Sequence, residues 1–165
     1  MRMLGGRPMV MGVFALLAVP GLGLASQERA NVTIEQRAQG SDVVVHGKVK
    51  EKRFEKQRND QGDELIVTHV NLEVQENLKG TESSSVDMVV EGGTYEGMTL
   101  KVSDQPELVM GEEVVAFLNK TEDGYRPNRR GQGILRLKPG THQVANSSLD
   151  LDTIRQKTRK AQQSR

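Results

Sequence analysis

The chain has 165 residues, 23 basic and 22 acidic side chains, no cysteine, and only 3% aromatic residues. So even a charge gives no global pull toward nucleic acid or an anionic membrane, and few aromatic platforms are left for stacking bases or sugar rings. Disulfides and a lipid-modified cysteine anchor are excluded outright, so stability must come from packing.

Residues 1–25 have the layout of a secretory signal peptide: Arg2 and Arg7, an apolar run from Met9 to Val19, the breaker Pro20-Gly21, and small side chains at Gly23-Leu24-Ala25. Cleavage is expected after Ala25. The mature chain would then be secreted or periplasmic, free of the membrane, with a free amine on Ser26. Retained instead, the same run approaches the about 20 apolar residues of a spanning helix and would tether the protein. Ser26 to Arg165 fits one domain, divided into an N-terminal segment with a short helix (26–40), a β-barrel (41–140) and a C-terminal helical tail (141–165).

Thr33 and Gln36 have the spacing of a capping box, and Gly40-Ser41 stops the helix that they start. From Asp42 the period changes to two. Val43, Val45, Gly47 and Val49 share one face, and Val44, His46, Lys48, Lys50 and Lys52 share the other, which predicts a half-buried strand with a basic outer face. Asn59-Asp60-Gln61-Gly62-Asp63 is a turn, and Ile66, Thr68, Val70, Leu72 and Val74 then form the buried face of a second strand. With the turn near Gln61, facing residues sum to about 120, which sets His69 opposite Glu51 and leaves His46 about 16 Å away along the sheet.

Val86 to Val90 is a third strand. The stretch from Gly92 to Met110 reads as a long irregular loop, and loops of that length in a compact domain are often functional. Glu113 to Asn119 is apolar on both faces and predicts a strand covered on both sides. Glu122-Asp123-Gly124 turns the chain into a fifth, interrupted strand from Tyr125 to Leu137, with a bend at Gly131 and Gly133. Leu149 to Gln163 is helical, with acids first and bases last as the helix dipole favours, and its final turns are expected in solvent.

This order predicts a mainly β fold, a five-stranded Greek-key OB-like barrel with a short N-terminal helix and a C-terminal helix. Ser41 to Val45, Gly47, Leu78-Lys79-Gly80, Gly111 to Leu118 and Gly131-Gln132-Gly133 together resemble exported bacterial domains of unknown function. Their pattern is similar to the amino-terminal domain of the tissue inhibitors of metalloproteinases and to netrin-like modules. The resemblance covers residues 33–140 and implies the fold and a protein-binding habit. Those inhibitors chelate a protease zinc through an amino-terminal cysteine held by a disulfide. Here the expected first residue is Ser26, so inhibition would rest on its amine alone.

No nucleophile elbow, zinc-protease helix or phosphate loop is present, so no catalytic residue, cofactor or metal site is expected. His46 and His69 lie too far apart along the sheet to share an ion, and His142, after Pro139-Gly140, is not placed by that register. The expected function is non-catalytic binding of another exported protein by a monomer, with a protease among the candidate partners. Candidate contacts are Tyr95 in the long loop together with Tyr125, Arg126, Arg129 and Arg130 on the second hairpin. Clustered arginines also suit a polyanion or oligosaccharide, whereas nucleic acid is not an expected partner.

Overall fold

The computed structural model describes residues 32–58, 61–80, 83–105 and 107–164. The expected signal peptide and Ser26 lie outside them. Helix α1 (Ile34–Gln39) begins as its capping box dictates: the Gln36 amide donates to the Thr33 hydroxyl at 3.2 Å, and the Gln36 side chain accepts from the Thr33 amide at 3.0 Å.

Strands β1 (Val43–Arg58) and β2 (Glu64–Lys79) form one long antiparallel hairpin, and β3 (Ser85–Glu91) pairs with β2. Two short strands, β4 (Gly93–Tyr95) and β5 (Met98–Leu100), make a separate hairpin. Strand β6 (Glu113–Thr121) binds β1 on one edge, while β7 (Gly124–Pro127) and β8 (Ile134–Arg136) follow each other on its second edge. Because β7 also touches β3 in parallel at Met88 and Tyr125, the order β1-β2-β3-β7-β6 closes into a ring of five strands. The protein is thus mainly β with a helix near each end of the described chain, the second being α2 (Leu151–Gln163).

The single interrupted strand expected from Tyr125 to Leu137 is instead β7 and β8 with a 3-10 turn (Arg130–Gly133) between them. Arg129 and Arg130, at φ 51° and 57°, take the chain out of extended geometry. The hairpin register also differs by two from the expected one: His69 faces Arg53, not Glu51, since the turn centres on Gln61 and pairs Arg58 with Glu64.

Two apolar layers hold the molecule together. Val43, Val45, Val49, Val70, Leu72, Met88, Ala116 and Leu118 fill the inside of the ring. Val44, Val115 and Phe117 point outward, yet are buried under Ile34 and Ala38 of α1 and Leu151, Ile154 and Ala161 of α2. β6 therefore has the two covered faces that its sequence predicts. The outer face of β1 is not uniformly basic and solvated: Val44 lies beneath this helical layer, and His46 is buried as well. The last turns of α2 are not free in solvent either, because Thr158 and Ala161 are buried.

Gly80 secures the end of the first hairpin at φ 80°, where a Cβ would lie 2.1 Å from the Asp42 carbonyl oxygen. Among the described residues no helix is long and apolar enough to cross a membrane.

Candidate functional site

The site begins with one unpaired residue. In β1 the register with β2 runs from Val49 opposite Leu72 directly to Glu51 opposite Asn71, leaving Lys50 as a bulge. Side chains alternate along a strand, so one extra residue moves every later side chain to the opposite face. Lys52, expected outside with Lys48 and Lys50, therefore turns inward opposite Val70, and Phe54 turns inward opposite Thr68. The Lys52 ammonium donates to the Leu108 carbonyl at 2.5 Å and lies 5.5 Å from the Phe54 ring centroid.

The segment from Gly92 to Met110 folds back over these residues, and it is only partly irregular. Glu96 and Gly97, both at positive φ, form a two-residue turn between β4 and β5, and the Thr94 and Thr99 hydroxyls lie 2.9 Å apart across that hairpin. Gly93 brings β4 against the sheet: at φ 135°, a Cβ there would stand 2.6 Å from both the Phe54 ring and the Thr68 hydroxyl. The Thr68 hydroxyl in turn donates to the Gly92 carbonyl at 2.6 Å.

Between the segment and the ring lies a cleft of about 290 Å³. Buried Val70, Val90 and Leu108 form its apolar floor, and Lys52, Phe54, Glu91, Leu100, Lys101, Val102 and Glu107 also line it. Gln105 also lines it, and its side-chain oxygen is buried with no hydrogen-bond donor among the described residues. A shallower depression of about 560 Å³ adjoins it, lined by Lys52 to Glu55, His69 and Thr94 to Glu96. The two share Lys52, Phe54 and Thr94 and so make one groove.

Of the residues singled out from sequence, Tyr95 lies in this groove. Tyr125 is half-buried and packs against the inner apolar layer. Arg126 faces Asp123 at 3.6 Å, whereas Arg129 is exposed and has no ion pair among the described residues. Arg130 supports the groove from behind, bonding Glu91 at 2.5 Å and Asp104 at 3.0 Å, while the Gly131 amide donates to the Asp104 carbonyl at 2.8 Å. Asn128, between these arginines, is buried and donates its side-chain amide to the Gly40 carbonyl.

His46 and His142, distant in sequence, meet edge to face with ring centroids 6.4 Å apart. Burial holds the His46 imidazole below its ordinary pKa, although Glu113, 3.9 Å away, and Glu76 pull the other way. Glu76 is taken by Arg155 of α2 through two-pronged contacts at 2.6–2.8 Å, which raise the guanidinium pKa further. His69 is separate and pairs with Glu55 at 2.9 Å. Among the described residues no three His, Cys, Asp or Glu side chains are grouped to hold a metal ion.

Sequence reasoning missed Lys52, Phe54 and Gln105 as groove residues. The Glu96-Gly97 pair between Thr94 and Thr99 was the available sign of the hairpin. Compared with known proteins, the chain matches no family model and no curated protein.

Proposed function

We propose that the protein is a non-catalytic, exported domain, an OB-like Greek-key barrel, that binds another protein through the groove under residues 92–110. The observation that carries this reading is the folded-back segment itself. A connection that merely joined β3 to β6 would need no hairpin, yet this one is built over an apolar floor and leaves a cleft there. Partly exposed Phe54, Met98, Val109 and Met110 lie in or next to this region in sequence, and exposed large apolar side chains of this kind mark interaction surfaces when they cluster.

The test is affinity capture from a secreted or envelope fraction with wild type and with a Phe54→Ala/Tyr95→Ala/Arg129→Ala variant. Tyr125 is left intact because it packs on the core. Recovery of a partner by wild type, reduced at least about tenfold in the variant, is expected for loss of a central aromatic anchor. Equal recovery by both overturns the proposed surface.

A further inference from the structure

We infer that the protein forms a two-fold symmetric dimer in which the far half of β1 pairs antiparallel with the same strand of a second copy, Phe54 against Phe54. The inference goes beyond the partner-binding reading and uses a different surface. The deeper cleft has Val70 of β2 and Val90 of β3 in its floor, whereas this seam is the edge of β1. Up to Val49 both edges of β1 are used, by β2 and by β6 with the Gly111–Glu112 turn. Beyond the Lys50 bulge β1 pairs with β2 only, and no other described strand pairs with its second edge. An open edge is a template for another strand, and two identical edges join when their residues complement one another about a two-fold axis.

The backbone fixes which groups point outward. The Val74 amide donates to Ser84 and the Gly92 amide to Ile66, so even-numbered β2 residues bond β3 and odd-numbered ones bond β1. Arg53, Glu55 and Gln57 face His69, Val67 and Leu65, so their amides and carbonyls are engaged by β2. Those of Lys52, Phe54, Lys56 and Arg58 point to the open edge. A copy turned about an axis at Phe54 meets this pattern. The two Phe54 residues exchange bonds, Lys52 exchanges them with Lys56, and Arg53 falls opposite Glu55 in the closer, non-hydrogen-bonded pairs.

Side chains select this register. A two-fold axis normal to the sheet keeps each side chain on its own face, so facing residues share parity and only every second register is open. With the axis at Phe54, Arg53 of each copy meets Glu55 of the other, and two Phe54 rings, each 40% exposed in the single chain, meet across the seam. An axis at Arg53 would set Glu51 against Glu55, and one at Glu55 would set Glu55 against itself and Lys52 against Arg58. The opposite charges are available. Glu55 gives Oε2 to His69 at 2.9 Å and has a second oxygen, and Arg53 has only Glu51, 3.8 Å away, among the described residues. Within residues 51–57 the like-charged pair is Lys52 with Lys56, but Lys52 holds the Leu108 carbonyl and Lys56 the Glu64 carboxylate at 2.6 Å.

The experiment follows the purified chain by sedimentation and amide hydrogen exchange from about 1 µM to about 1 mM. A single strand seam is smaller than a standard interface of about 1,600 Å², so a dissociation constant of about 10–100 µM is expected. The amides of Lys52, Phe54 and Lys56 should gain protection as concentration rises, while those of Arg53 and Glu55, already bonded to β2, should not. Arg53→Glu and Glu55→Arg each set like charges across both pairs and are expected to weaken the dimer at least about tenfold. Mixing the two variants in equal amounts restores opposite charges at both pairs and should recover dimers of wild-type strength, a recovery that a folding defect in either would prevent. A monomer at about 1 mM, dimers that both variants retain at full strength, no recovery on mixing, or a dimer without concentration-dependent protection at Phe54 would overturn the inference. Protection of these amides only by a captured partner would assign the edge to another protein and overturn it equally. A chain that stays monomeric yet captures a partner leaves the protein-binding reading standing.

Discussion

Lys52 and Phe54, two residues apart on one strand, share the inner face of the ring, with the ammonium 5.5 Å from the ring centroid and hydrogen-bonded to Leu108. That contact ties the returning segment to β1. Replacing Lys52 with Met keeps the aliphatic stem and removes the tie. The expected loss is about 1–2 kcal/mol of stability, with amide exchange accelerating near Leu108 more than in β6. Uniform acceleration throughout the sheet would show that Lys52 has no local role.

Gly93 has no room for a side chain, because a Cβ would meet both Phe54 and Thr68 at 2.6 Å and the backbone φ of 135° disfavours any other residue. Gly93→Ala is expected to destabilise by about 2–3 kcal/mol. Phe54→Ala in the same chain relieves one of the two clashes, so a double-mutant cycle in urea should give a less than additive loss. Strict additivity would place the strain in the backbone and the Thr68 contact, not at Phe54.

His46 makes stability depend on pH in a defined direction. Its imidazole is held below the ordinary value of 6.5 by burial, so the unfolded chain takes up a proton first as pH falls. Stability is greatest above that value and declines as pH drops through it. A melting curve series from pH 7.5 to 5.5 should show the decline, and His46→Leu should flatten it. An unchanged slope in the variant would assign the effect to another group.

Arg155 joins α2 to β2 by gripping Glu76 with a planar, two-pronged contact. Arg155→Ala is expected to cost about 1–2 kcal/mol, and Arg155→Lys to recover only part of it, since an ammonium cannot reproduce the fork. Full recovery by Lys would mean that charge alone matters there.

A chain ending after Pro139 tests the division into barrel and tail. Leu151 and Ile154 are fully buried against Val44, Val115 and Phe117, so truncation exposes an entire apolar layer. The shortened chain is expected to lose cooperative unfolding in circular dichroism. A sharp transition near that of the full chain would make the helix an accessory.

How far these features could be read from the residues depends on where their cause lies in the chain. The alternation of Val43, Val45 and Val49, the even-numbered apolar face of β2 and the doubly covered β6 are local patterns and were legible. The bulge at Lys50 was not, because Lys48-Val49-Lys50-Glu51-Lys52 carries no residue type that marks a parity change. Val44 and His46 looked solvent-facing because part of what meets them, α2 over Val44 and His142 beside His46, enters only near the end of the chain. The groove inherits both difficulties: its walls come from β1 past the bulge and from a hairpin marked only by Glu96-Gly97.

Closure of the ring also sets an order of events in folding. Val43 bonds opposite Leu118, so the first hairpin can form from neighbouring residues long before its near edge meets β6. Until then β1 is open along its whole length and able to pair with any extended chain nearby. The native molecule keeps the far half of that opening, since beyond Lys50 no other described strand pairs with the second edge of β1, and the same stretch of backbone stays the place where wrong pairing can begin.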